Sequence, residues 1–149
     1  MGRYYEEFRL GEQLTGASRT VTDLEIALLP TVMGALNPLF LDEETARQSA
    51  HGGRILYGPA LLGIVLGLTE EMLRGTLVGL LGIDRLRFIR SVHAGDTITA
   101  HTEVTGLRPT SRPERGILQL RDWATNQRGE TVLELERSIL LLRQPPDPA

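Results

Sequence analysis

Apolar and polar positions follow three different rhythms along this chain. Near the start, Leu24, Leu28 and Val32 recur at helical spacing. Thr22-Asp23-Leu24-Glu25 precedes them as a capping box, in which the threonine hydroxyl and the glutamate three residues on satisfy each other's backbone amides. Pro30 falls inside the pattern and predicts a kink or an early end, because its ring removes a donor and crowds the preceding turn. Gly34 then stops the helix, and Asp42 suits the N-cap of a short second helix through Arg47, with Glu43 and Glu44 in the favourable first turn.

The middle of the chain is apolar without a polar face. Ala60 to Leu68 is hydrophobic on every side, Pro59 suits the first position of a helix, and Gly75 suits its end after Arg74. The expected helix, Pro59 through Leu73, is therefore enclosed rather than amphipathic. Gly63 and Gly67 share one of its faces and are expected to let another backbone approach closely. A rod of this kind needs something broad around it.

The remainder supplies that cover. Leu77–Leu81, Arg85–Ser91, Asp96–Thr105, Ile117–Thr125 and Thr131–Leu142 read as strands, rich in β-branched and apolar residues. "TITAHTEV" and "ILQLRDW" alternate as half-buried antiparallel strands do. Ala94-Gly95-Asp96 and Asn126-Gln127-Arg128-Gly129 are turn signals, "RPTSRPERG" a longer loop and "QPPDPA" a loose tail. Helices first and an antiparallel sheet afterwards make an α+β domain with the sheet curled around one buried helix. Residues 1–143 form that single domain and residues 144–149 a flexible tail.

Composition narrows the chemistry. The 149 residues suffice for one domain with a real core, and 41% hydrophobic with 23% charged content is ordinary for a globular protein. A net charge of −3 argues against nucleic-acid binding driven by bulk electrostatics. Absence of cysteine excludes disulfides, thiolate metal sites and thiol nucleophiles. All 16 basic residues are arginine, so Schiff-base chemistry and a P-loop lysine are excluded as well. The three histidines, His51, His93 and His101, lack metal-ligand spacing, and no metal or resident cofactor is expected. The N-terminus has no apolar run and Glu6 breaks a myristoylation pattern; the longest apolar stretch is far short of the about 20 residues that span a bilayer. A cytoplasmic protein without membrane contact is the expectation.

Four stretches carry a resemblance: "RYYEEFRLGE", "NPLFLDEETA", "GGRILYGPAL" leading into the central helix, and "RFIRSVHAGDTIT", with "RPERGILQL" and "NQRGETV" beyond them. Across nearly its whole length the chain resembles the MaoC-like hydratases of the hotdog fold, and their mesaconyl-CoA hydratase-like branch in particular. The resemblance implies hydration or dehydration of an enoyl thioester on coenzyme A or an acyl carrier, in a homodimer or a higher oligomer. In that family an aspartate and a histidine flank Asn-Pro, hold a water and move protons across the double bond, while a backbone amide at the helix entrance polarises the thioester carbonyl. Position by position, Asn37 and Pro38 match. Ala35 stands in the aspartate's place, Phe40 in the histidine's, Gly58 at the helix entrance, and Tyr57 where a histidine or another polar residue is common.

The frame is kept and the proton-transfer pair is not. Three explanations stand open: a binding subunit that retains an apolar or thioester-shaped pocket, an altered enzyme such as a cyclase or isomerase, or a chain that works beside a complete partner. A hotdog thioesterase fits the Asn-Pro and helix-entrance words less well. If the chain is catalytic, the expected participants are Tyr57, His51, Asn37 and the Gly58 amide, with Ala35, Pro38 and Phe40 lining an apolar pocket. Each has a plainer reading: His51 as a loop histidine, Tyr57 as a space filler, Asn37 as a lock on its own turn, Asp42 as an N-cap. Arg87 and Arg90 meet carrier phosphates or merely occupy an exposed strand face; His93 and His101 read as structural.

Overall fold

In the computed structural model, which describes residues 2–145, five antiparallel strands form one sheet in the order β1-β3-β4-β5-β2. The strands are β1 (Gln13–Thr20), β2 (Leu77–Phe88), β3 (Thr97–Pro109), β4 (Arg115–Thr125) and β5 (Thr131–Leu142). The helices are α1 (Asp23–Val32), α2 (Pro38–Leu41), α3 (Glu43–Arg47) and α4 (Gly58–Thr69), with 3₁₀ turns at Tyr5–Glu7 and Glu70–Leu73. The α+β architecture expected from the sequence is the one observed.

Alternation along the central strands builds the core. On β3, Ile98, Ala100 and Val104 are buried while Thr97, Thr99 and His101 face outward. The inner face carries two apolar clusters: one joins Leu61 and Val65 of α4 to Ile98, Ala124 and Leu133, and the other joins Phe8 and Leu73 to Leu118 and Ile139.

Several expectations are corrected. The strand β1 is missing from the sequence reading because "QLTGASRT" is weakly apolar and mostly exposed, as an edge strand is. Leu77–Leu81 and Arg85–Ser91 are one strand, not two. Asp84-Arg85 marks a bulge, with Arg85 at φ 50° and a register shift between Asp84 and Arg87. The loop before β4 shrinks to residues 110–114, since Arg108 and Pro109 still pair with β4.

Pro30 does not end α1; the helix continues through Val32, and Thr31 bonds back to the Ala27 carbonyl at 2.8 Å. A proline so near the C-terminus costs few ladder bonds. Gly34 does stop it, at φ 75°, with Gly34 N–H donating to Thr31 and Ala35 N–H to Pro30, a Schellman closure. The apolar stripe Leu24, Leu28, Val32 faces outward, and Ile26 and Pro30 point into the core instead.

The central helix departs most from expectation. Its α portion ends at Thr69 and its last turn is 3₁₀, and the described residues leave one of its faces uncovered. Ala60, Leu61, Val65 and Thr69 are buried, whereas Pro59, Gly63 and Gly67 face out. A Cβ on Gly63 or Gly67 meets nothing within 4 Å, so no backbone among the described residues approaches either one. The close approach occurs at Gly16 of β1, where a Cβ lies 2.4 Å from the Leu68 carbonyl oxygen. At the other end of the chain, Gln144 N–H donates to Glu6 at 3.0 Å, which ties down the first residue of the expected tail; residues 146–149 lie outside the described residues.

Candidate functional site

The chain between α1 and α4 is folded by its own capping chemistry. Asn37 caps α2, its side-chain oxygen accepting from Leu39 N–H at 2.9 Å, and Pro38 takes the first helical position. Asp42 caps α3 by accepting from Glu44 and Thr45. The Thr45 hydroxyl, with the Thr45 and Glu44 amides, holds the Asp42 carboxyl below its ordinary value, so it stays an anion dedicated to the cap. The plainer readings of Asn37 and Asp42 therefore describe what these side chains touch.

Arg54 holds this segment to its surroundings. It donates to Glu43 and to Asp23, both at 2.9 Å, and so links α3, α1 and the approach to α4. Sequence reasoning passed over Arg54; its only signal was an arginine between two glycines and an apolar run. Nearby, Leu56 N–H donates to Val92 O at 2.8 Å and aligns residues 54–57 against the end of β2 and the residues after it.

Three aromatic residues stand at the mouth of α4. Phe40 packs edge-on against Tyr57, centroids 5.1 Å apart and planes at 66°. Phe88 covers Gly58 so closely that a Cβ there would lie 3.2 Å from its ring. Phe88 is a further residue the sequence reading left out, because a lone aromatic in a strand carries no signal. Beneath the rings the first turn of α4 offers one donor. Pro59 has no N–H, and the Ala60 and Leu61 amides both bond to the Tyr57 carbonyl at 2.9 and 3.0 Å. Gly58 N–H has no acceptor among the described residues, and it lies at the positive end of the helix dipole. The Tyr57 hydroxyl also has no hydrogen-bond partner there.

The remaining candidates are placed as follows. Ala35 is half-buried and closes α1 through its backbone. The His51 ring contacts Ser91 Oγ at 2.5 Å through Nδ1. His93 lies in the turn that Asp96 caps, and His101 stacks on Trp123 at 5.2 Å on the outer sheet face. Arg90 faces Glu130 at 3.7 Å. Arg87 has no ion-pair partner among the described residues and lines a shallow depression of about 210 Å³ with Arg85, Arg121, Glu134 and Glu136. Along the bare face of α4 runs a groove of about 520 Å³ between Leu29 of α1, Met33 just after it, and Pro59, Gly63 and Gly67. Among the described residues, no three His, Asp or Glu side chains stand close enough to hold a metal ion.

Known proteins place this architecture. Residues 7–121 match the model of the MaoC like domain. Mesaconyl-CoA hydratase of Cereibacter sphaeroides is 31% identical over 96% of this chain, and the match takes in 42% of that protein. The chain thus spans less than half the length of this curated relative. The crystal structure of a MaoC-like dehydratase from Rhodospirillum rubrum superposes with a TM-score of 0.86 at 26% identity, covering 97% of this chain and all of that one. A Mycobacterium tuberculosis protein described as a double hotdog fold superposes with a TM-score of 0.84 over 99% of this chain and 47% of its own; at 23% identity it speaks for the fold alone. The match of sequence and the superposition of structure agree, and this hotdog domain belongs to the MaoC-like family.

Proposed function

We propose that this chain binds an acyl thioester, carried on coenzyme A or an acyl carrier, and acts on it in the manner of a hydratase or dehydratase. One observation carries the reading: a single unoccupied N–H, that of Gly58, stands at a helix N-terminus among apolar rings. An acyl group that packs against the rings displaces water there, and its carbonyl oxygen, accepting from Gly58, then gains more than it would in solvent. We assign the acyl portion to Ala35, Pro38 and Phe40, in the segment that the Phe40–Tyr57 contact joins to the mouth. Among the arginines, Arg87 suits a carrier phosphate, because Arg90 is already engaged with Glu130.

Hydration of an enoyl thioester needs a base to take a proton from water and an acid to deliver one to the carbon next to the carbonyl. Neither Ala35 nor Phe40 exchanges protons. The Tyr57 hydroxyl is the donor we assign, and His51, joined to Ser91, is the base. Each general acid or base contributes typically about 10²–10⁴-fold in rate, so turnover through this substitute pair is slow. The test is incubation with crotonyl-CoA and mesaconyl-CoA while the enoyl absorbance is followed. Loss of absorbance that Tyr57→Phe abolishes supports the assignment. No turnover together with no thermal stabilisation by either compound rejects it.

A second reading has its own support. The outer edge of β2 is unpaired among the described residues and carries Val78, Leu80 and Leu81, 40–53% exposed, beside the bare face of α4. An apolar edge strand of this kind calls for a partner. We assign a second hotdog domain, a copy of this chain, which pairs along β2 and completes the wall of the site. A thermally stabilised but inactive protein would make the chain a binding subunit within that pair.

A further inference from the structure

Four polar side chains lie in the core with no link to the aromatic mouth. Thr69 ends α4, and Thr102, Asp122 and Arg137 sit on β3, β4 and β5; each is 3% exposed or less. Thr102 Oγ1 donates to Asp122 Oδ1 at 2.5 Å, and Arg137 Nη2 donates to Thr69 Oγ1 at 2.8 Å. Arg137 Nε and Asp122 Oδ2 stand 2.6 Å apart as an ion pair, although their angle is not that of a hydrogen bond. The Thr69 hydroxyl in turn donates to Leu66 O at 2.8 Å. The layer separates the cluster around Leu61 and Val65 from the cluster around Leu118 and Ile139.

A buried ion pair of this sort is a poor source of stability, since apolar residues of equal volume commonly do as well or better. Its retained use is to choose one arrangement among apolar alternatives. Here the alternatives are specific. The buried face of α4 repeats every four residues as Leu61, Val65, Thr69; a Cβ at Gly63 or Gly67 on the opposite face meets nothing within 4 Å among the described residues, and Gly16 of β1 meets only backbone at Leu68, so neither contact reads a side chain of the helix. Moving the helix along its axis by one turn, about 5.4 Å, exchanges one aliphatic contact for another. Only the last member of the repeat is polar, and only that member meets Arg137.

We propose that Arg137, braced by Asp122, is a positioning residue whose bond to Thr69 sets the axial register of α4, and through it the place of the Gly58 amide at the helix's other end. The consequence for binding rests on the thioester reading above; the register itself does not. A rigid helix carries an axial shift from one end to the other without loss, so a contact at Thr69 governs a donor eleven residues away.

The experiment uses the whole chain and two readouts. The absence of cysteine allows spin labels at Gly67→Cys and Gln119→Cys, with excess unlabelled chain added so that each measured distance is internal. In this background Thr69→Val removes the acceptor at nearly constant volume, Thr69→Ser restores it, and Arg137→Met with Asp122→Leu replaces the ion pair by apolar groups. The expected result is a narrow distance distribution in the parent and in Thr69→Ser. It should shift or broaden on the scale of one turn, about 5 Å, in Thr69→Val and in the apolar pair, while the pair still melts cooperatively. Crotonyl-CoA affinity should fall about tenfold or more in the same two proteins, the order of one lost hydrogen bond when the Gly58 donor no longer reaches the carbonyl, and stay within about twofold in Thr69→Ser. An unchanged distance distribution in the folded apolar pair overturns the proposal. If the parent itself fails to bind crotonyl-CoA, the thioester reading falls, and the distances alone decide the register.

Discussion

The Phe40 ring meets the edge of Tyr57 at 5.1 Å across the gap between α2 and α4, joining the segment that follows Asn37 to the entrance of the central helix. Edge-to-face pairs are worth about 0.5–1.5 kcal/mol beyond burial, so the contact stiffens the mouth beside the Gly58 amide. It also occupies a position from which the resemblance leads one to expect proton transfer. If the frame is intact, Ala35→Asp combined with Phe40→His should create crotonyl-CoA hydration at least about 10²-fold above the parent rate, the lower end of what one acid–base group supplies. A double variant that folds, binds crotonyl-CoA and stays at the parent rate shows that the frame itself has moved.

The donor role of Gly58 separates cleanly from its size. Gly58→Pro deletes the N–H at a helix position that tolerates proline, whereas Gly58→Ala keeps the N–H and adds a Cβ 3.2 Å from the Phe88 ring, which is half-exposed and free to yield. Acyl-CoA affinity should drop at least about tenfold in the proline variant, the share of one charge-stabilising donor, and only slightly in the alanine variant. Equal losses in the two would assign the effect to crowding and remove the amide from the site.

Much of this molecule is legible in the sequence because its signals are local. Thr22, Gly34, Asn37 and Asp42 each announce a cap or stop through their own side chain or lack of one, and each does what its neighbours in sequence ask. The unread parts depend on partners distant along the chain. β1 is a strand only because β3 pairs with it, and Arg85 bulges only because β2 must twist along β5. Arg54 gains its two carboxylates, and Phe88 its place over Gly58, from the fold. The enclosed helix failed for a related reason: an apolar surface reports that it must be covered, and it does not report whether the same chain provides the cover.

Acid should weaken the turn before β3 in a predictable window. Burial raises the Asp96 carboxyl, but His93 N–H, the Gln127 amide and the nearby Arg128 outweigh it and hold the group below its ordinary 3.8. With the folded value depressed, the contribution of Asp96 is complete above the unfolded value and disappears as pH falls through the folded one. The difference in melting temperature between the parent and Asp96→Asn should therefore be greatest above about pH 5 and shrink steadily as the solution is acidified below the ordinary carboxylate range. A constant difference across that range would mean that the charge of Asp96 contributes nothing. Asp122 has the opposite sign, because burial raises it more than Arg137 and Thr102 lower it; its part in stability declines as pH rises through the carboxylate range.

Two glycine-to-alanine changes should move stability in opposite directions. At Gly16 the new methyl group lies 2.4 Å from the Leu68 carbonyl oxygen and 3.4 Å from that of Ala100, and backbone cannot step aside. Overpacking of this kind costs about 1–3 kcal/mol, so Gly16→Ala should lower the melting temperature by several degrees. At Gly63, within α4 and facing open space, the same change removes backbone entropy from the unfolded chain and should stabilise by about 0.5–1 kcal/mol. Calorimetric melts of both variants test the pair. A destabilised Gly63→Ala would reveal that a second chain covers that face of α4.

The free edge of β2 gives the most direct test of assembly. Leu80 and Leu81 are 48% and 53% exposed on a strand whose outer backbone groups have no partner strand among the described residues. Burying such residues releases about 25 cal/mol for each Å² of apolar surface, whereas a lysine in their place must be dehydrated to enter the same contact. Sedimentation of the parent at micromolar concentration should give a dimer, and Leu81→Lys should convert it to a monomer that keeps its circular dichroism. If the site draws one wall from the second copy, the monomer should also lose stabilisation by acyl-CoA. A Leu81→Lys protein that remains dimeric places the contact elsewhere on the surface, and a parent that sediments as a monomer removes the partner from the site.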